Sequence, residues 1–214
     1  MIRFKVCCIR DAAELALAVR HGASAVGLVS AMPSGPGPIP EDAIARLLPR
    51  VPPGVDAFLL TSLTEVDALV DQHRRLPAPV LQLVDRLEAG AHARLRRALP
   101  GIRLVQVVHV EGDAAIEEAI ALAGGVDALL LDSGRPGAAV KELGGTGRVH
   151  DWSLSRRIVD AVDVPVFLAG GLGPGNVAEA VARAAPYAVD VCSGLRPDGA
   201  LDEARLVAFT TALG

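Results

Sequence analysis

Aromatic residues make up only 3% of the sequence, with one tryptophan and one tyrosine. A nucleic-acid surface of stacking rings and basic stripes is thereby excluded, the more so because the formal net charge is -4. Cysteine is scarce too. Cys7, Cys8 and Cys192 cannot all pair, and neighbours within one strand point to opposite faces, so no disulfide framework is expected. Their spacing matches no zinc site, and no metal is expected. No apolar run reaches the roughly 20 residues that cross a bilayer. No basic, then apolar, then small-residue leader precedes the first apolar run. The expectation is a cytoplasmic protein without membrane or nucleic-acid partners.

What the chain does have is bulk apolar content, 51% hydrophobic over 214 residues, enough for one large core and a single domain, 1–214. Eight short β-branched or Leu-rich runs recur at residues 4–8, 25–29, 55–60, 79–83, 102–108, 127–132, 165–169 and 188–191. Ala-rich segments with helical periodicity lie between them, as in Val177, Ala180, Val181 and Ala184, or along 113–122. Near-continuous apolar strands joined by helices imply a parallel sheet covered by helices, and eight such units close into a (β/α)8 barrel. A doubly wound open sheet shows the same alternation. It would more often have fewer strands and a glycine fingerprint after the first, which "CCIRDAAE" lacks.

In such barrels the active site lies on the loops that follow the strands. In "LAGGLGPGNV", 168–177, two glycines let the backbone approach a ligand, and Gly173 and Pro174 are expected to open a helix whose N–H groups attract a phosphate. In "DVCSGL", 190–195, Ser193 and Gly194 offer a hydroxyl and further backbone donors. Loops after strands seven and eight are the fold's usual phosphate cup; tight βα turns alone would also use these glycines. Asp132 ends "DALLLD" on the rim, as a reactive carboxylate or a loop-fixing cap. Period-two geometry groups Lys5 with Cys7 inside the barrel and Phe4, Val6 and Cys8 on the helix-facing side. An inward Lys5 needs an anion, and Asp190 on the neighbouring strand is the expected partner. That cation would lower the pKa of Cys7, unless Cys7 is, like Cys8, simply a small buried residue.

The remaining signals are weaker. His21, His73 and His92 fall in helical segments and read as surface, whereas His109 near the end of strand five faces the mouth or is packed there. Trp152 is expected to pack helix six against the barrel. The glycine-rich segment 133–150 is long enough for a ligand loop, and the Pro- and Gly-rich 30–40 reads as a shaped wall.

These residues resemble the phosphoribosylanthranilate isomerase family over nearly the whole chain. "KVC" at 5–7 is similar to the family's Lys-x-Cys-Gly start; "LLLDS" at 129–133, "GGTGRVHDW" at 144–152, "LAGGL" at 168–172 with Asn176-Val177, and "DVCSGL" follow in order and spacing. The resemblance implies an Amadori rearrangement of an N-(5-phosphoribosyl) aminoaldose in tryptophan biosynthesis, without cofactor or metal. It implies Cys7 as general base, Asp132 as general acid, and a phosphate site of Gly145, Gly170, Gly171, Ser193 and Gly194. The small-molecule partner would be a phosphorylated sugar, and the enzyme a monomer or homodimer.

Departures cluster at the other end of the substrate. Cys8 stands where the family has glycine, and "SAMPSGPGPI" at 30–39 lacks the arginine of the family's Ser-Pro-Arg, which holds the anthranilate carboxylate. Gln82, Leu83, Val84 and Asp85 replace Gln-Leu-His-Gly, and Gln106 replaces a lysine. Arg10 or Arg135 is a candidate to contact the carboxylate instead. A paralogous isomerase or lyase acting on another phosphorylated sugar adduct, and a silent phosphate-binding protein, are the alternatives. Retention of both Cys7 and Asp132 weighs against the silent one.

Overall fold

In the computed structural model, residues 2–33, 35, 37–134 and 149–214 are described. Eight parallel strands close into a barrel in chain order, β1 pairing with both β2 and β8. The strands are β1 (Arg3–Val6), β2 (Ala25–Val29), β3 (Asp56–Thr61), β4 (Val80–Leu83), β5 (Arg103–His109), β6 (Ala128–Asp132), β7 (Val166–Leu168) and β8 (Ala188–Val191). The helices are α1 (Ala12–Arg20), α2 (Glu41–Leu47), α3 (Val66–Arg75), α4 (Ala91–Ala98), α5 (Ala114–Ala123), α6 (Trp152–Ala161), α7 (Val177–Ala184) and α8 (Glu203–Leu213). Among the described residues no helix is long and apolar enough to cross a membrane.

The period-two pattern sorts the strand residues into two cores. One face of each strand packs on the helices: Phe4, Val6, Leu28, Leu59, Leu104 and Leu131 belong to that outer layer. The alternate residues, among them Ala25, Phe58, Val105, Val107 and Leu130, fill the barrel itself. There Phe58 meets Phe167 edge to face, with centroids 5.6 Å apart. Helix starts follow their capping residues: the Asp11 carboxylate accepts from the Ala13 and Glu14 N–H groups, and Asp151 and Asp202 cap α6 and α8 similarly. Trp152, the first residue of α6, is 6% exposed in the outer core, with the Arg183 guanidinium of α7 5.8 Å from its ring centroid.

Three local expectations change. First, β1 stops at Val6, so Cys7 and Cys8 lie beyond it, and Cys8 has φ 63. That left-handed turn breaks the alternation and sends Cys8 into the barrel-interior cluster with Cys7, instead of toward the helices. Second, Pro174 lies in a turn, and α7 begins at Val177. Asn176 imposes that turn: its Oδ1 accepts from Gly173 N at 2.8 Å and its Nδ2 donates to the Gly171 carbonyl at 3.0 Å. Third, Gln106 shares its face of β5 with Leu104 and Val108, which pack in the outer layer, and it bonds His92 of α4 at 3.0 Å. It donates to the carbonyls of Leu83 and Asp85, so it fastens the end of β4 and is not a mouth residue, and His92 is half-buried, not surface.

Candidate active site

Lys5 and Asp190 face each other in the β1–β8 register, and Lys5 Nζ donates to Asp190 Oδ2 at 2.7 Å. Lys5 is fully buried, its ammonium 5.2 Å from the Phe58 ring centroid. Burial alone would lower its pKa; the Asp190 charge and the Cys7 thiol outweigh that and hold it above the ordinary lysine value. The ion pair therefore sets a permanent cation beneath Cys7.

Cys7 follows directly, its N–H donating to the Val191 carbonyl at 2.9 Å. Its thiol accepts a hydrogen bond from Cys8 and feels the Lys5 charge; together these overcome burial and lower its pKa. Cys8 moves the opposite way: hydrogen bonds with Cys192 and Cys7, and burial, push its pKa well up. One thiol of the adjacent pair is thus prepared to ionise while the other stays protonated and donates.

Asp132 ends β6 as a buried carboxyl whose Oδ1 accepts from the Ser133 N–H at 2.7 Å. Burial raises its pKa, the Ser133 bond and His109 offset part of the rise, and the Asp190 charge adds to it. His109 is its register partner on β5. The His109 Nε2 lies 3.2 Å from the Val84 carbonyl, which can only accept, so the proton is on Nε2; Nδ1 is buried without a partner among the described residues.

Between β6 and β1 stand β7 and β8, so Asp132 and Cys7 flank two strands instead of standing diametrically opposed. The loops after those two strands carry the glycines. Gly170 and Gly171 have φ 85 and 63, and a Cβ at Gly170 would lie 2.7 Å from Ser133 Oγ. Ser193 opens a short 3-10 turn, Ser193–Leu195. A Cβ at Gly194 would run into the Leu172 carbonyl and lie 2.9 Å from Gly173 Cα, so the two loops touch backbone to backbone. Acid, glycine cup and thiol thus occupy four consecutive strands.

Arg196 was not singled out in the sequence. Its side chain is 5% exposed; NH1 bonds Glu14 Oε1 at 2.8 Å and NH2 donates to the Cys7 carbonyl at 3.2 Å. Glu14 also accepts from Leu201 N and Arg10 N, and these bonds hold its carboxyl at about 2 despite burial. In the sequence Asp11 and Glu14 have only the spacing of a capping box, which says nothing of a partner 182 residues away. Arg10 directs Nε and NH2 to the same Glu14 oxygen, at 3.1 and 2.9 Å. Arg135 and Gly145 lie outside the described residues.

A groove of about 410 Å³ between the loops after β2, β3 and β4 is lined by Ala31, Met32, Pro33, Ser62, Thr64 and Asp85, with no basic side chain in the lining. No group of acidic, histidine and cysteine side chains among the described residues has the arrangement of a metal site.

Comparison with known proteins agrees along the whole chain. The family model described as N-(5'phosphoribosyl)anthranilate (PRA) isomerase matches residues 4–212. The Haloferax volcanii N-(5'-phosphoribosyl)anthranilate isomerase is 39% identical over 214 residues, covering 99% of this chain and 93% of that protein. The crystal structure of the Thermotoga maritima phosphoribosyl anthranilate isomerase superposes with a TM-score of 0.84 at 27% identity, covering 99% and 98% of the two chains. A phosphoribosyl anthranilate isomerase in complex with reduced 1-(o-carboxyphenylamino)-1-deoxyribulose 5-phosphate superposes with a TM-score of 0.82 at 25% identity, again over 99% and 98%.

Proposed function

The chain belongs to the phosphoribosylanthranilate isomerase family, and we propose that Cys7 and Asp132 are the base and the acid of its reaction. That reaction is the Amadori rearrangement of tryptophan biosynthesis, an aldose–ketose isomerisation of N-(5'-phosphoribosyl)anthranilate. Asp132, whose pKa burial raises, gives a proton to the furanose ring oxygen; the C1'–O bond breaks and an iminium forms. Cys7, as thiolate, removes the C2' proton, and the enolamine relaxes to the 1-amino-1-deoxyribulose. The observation that carries the assignment is the opposed tuning of these two groups, one raised and one lowered, on either side of one glycine cup.

The 5'-phosphate is assigned to Gly170, Gly171, Ser193 and Gly194, where left-handed glycines and a 3-10 turn stand side by side; Gly145, the further residue the family resemblance implies, lies outside the described residues. The anthranilate ring is assigned to the groove by Met32. Arg135 and Arg10 are its carboxylate candidates, Arg10 being shared with Glu14. The test is a fluorescence assay of phosphoribosyl anthranilate consumption with wild type and Cys7→Ala. Wild-type turnover lost in Cys7→Ala is expected; equal rates would remove Cys7 from the base role.

A further inference from the structure

Aromatic side chains are scarce in this chain, yet Phe58, Phe167 and Tyr187 gather around one cavity of about 160 Å³, at the end of the barrel opposite Cys7 and Asp132. They run in an edge-to-face series, with centroids 5.6 Å and then 5.8 Å apart. Arg3, Ala25, Asp56, Val80, Arg103 and Ala128, each the first residue of its strand, surround them. The alternation that turns Lys5 into the barrel turns Arg3 to the same face of β1, one layer lower. Phe58 lines the cavity and also stands 5.2 Å from the Lys5 ammonium, so the cavity and the buried ion pair share this ring. Arg3, Arg103 and Tyr187 are exposed, and the cavity opens to solvent between them.

Three of the four charged side chains in the lining are already matched. Arg103 donates from NH1 and NH2 to the two Asp56 oxygens at 2.9 and 2.6 Å, and Asp127 accepts from the Leu104 N–H at 2.7 Å and pairs with Arg96 at 3.0 Å. Arg3 is different. Its guanidinium stands 5.5 Å from the Tyr187 ring centroid, and among the described residues it makes no ion pair or side-chain hydrogen bond. An apolar interior under one unmatched guanidinium selects for a ligand with an apolar body and one planar anionic end, because the arginine fork fits a carboxylate. The volume sets the size of that body: a dry cavity of about 150 Å³ holds one benzene ring. We propose that the bottom of the barrel is a second binding site, separate from the mouth, which takes a small aromatic monocarboxylate. Its ring lies against Phe58 and Phe167, and its carboxylate pairs with Arg3.

The experiment titrates the full-length protein with benzoate by calorimetry and locates the bound ring by nuclear Overhauser contacts. One benzoate per chain, with contacts from its ring protons to Phe58 and Phe167, is expected. Arg3→Met should weaken binding about 10–100-fold, as loss of a charged hydrogen-bond partner does. Ala128→Leu, which fills the cavity and leaves every rim charge in place, should abolish it. Benzamidine, with the same ring and the opposite charge, and acetate, with the charge and no ring, should not bind. Equal benzoate affinity in wild type and Arg3→Met, binding of benzamidine as tight as benzoate, or ring contacts to Met32 at the mouth in place of Phe167 overturns the proposal. So does the absence of any benzoate binding. Should either variant fail to fold, the contacts in the wild-type complex decide alone.

Discussion

Cys8 occupies the space that a side chain at position 37 would need: a Cβ built on Gly37 would lie 2.6 Å from both Cβ and Sγ of Cys8. The turn after β1 and the loop after β2 are therefore fitted to one another at these two residues. Cys8 has φ 63 and Gly37 φ 97, so both positions sit where glycine is favoured.

Cys8→Gly should be tolerated, removing a left-handed non-glycine residue that costs roughly 1–2 kcal/mol while adding glycine's chain entropy. Gly37→Ala should destabilise by about 1–3 kcal/mol through overpacking and its positive φ. In the Cys8→Gly background the Gly37→Ala cost should shrink, with a coupling of about 0.5–3 kcal/mol in a urea-unfolding cycle. Additive costs would show that the two loops do not meet.

Lys5→Met leaves Asp190 buried and unpaired, and about 3–5 kcal/mol of stability should be lost. The double substitution Lys5→Met with Asp190→Leu should recover much of it while leaving turnover low, because Cys7 has lost its cation. The pH dependence of iodoacetamide labelling at Cys7 should move upward in the double variant; an unchanged profile would disconnect Lys5 from the thiol.

Asp132→Asn and Cys7→Ser should each lower kcat by about 10²–10⁴ with little change in KM, as expected when a proton-transfer group is removed and substrate contacts remain. Their combination should fall well short of the product of the single effects if the two act on one proton path. A KM effect alone would make Asp132 a binding group.

Glu14 is held at about 2, against an ordinary value of 4.5, by Arg196 and backbone N–H groups. A carboxyl lowered in the folded state stabilises above its unfolded pKa, so this contribution is complete above about 4.5 and is lost as the pH falls toward about 2. Thermal melts between these limits should therefore show a smaller pH slope in Glu14→Gln than in wild type. An identical slope would mean that Glu14 keeps its pKa on folding.

How far the sequence discloses this molecule follows from the range of each interaction. The eight strands and the Lys5–Asp190 pair are legible because period-two alternation and chain order suffice once the barrel closes. Cys8 defeats the same rule because β1 ends before it, and one positive φ reverses the side it faces. Arg196 is invisible because its partners, Glu14 and the Cys7 carbonyl, lie at the far end of the sequence. Gln106 stands where the resemblance puts a lysine, yet its parity along β5 sends it to α4.

Strands β1 and β8 are the first and last of the sheet, and the Lys5–Asp190 bond, the Cys7 N–H bond to Val191 and the Arg196 hold on Cys7 all cross between them. During synthesis Cys7 is made long before its supports, since Lys5 and Asp190 lie 185 residues apart and Cys7 and Arg196 189. Activity should therefore appear only after residue 196 has emerged and β8 has paired with β1, so that turnover reports closure of the barrel.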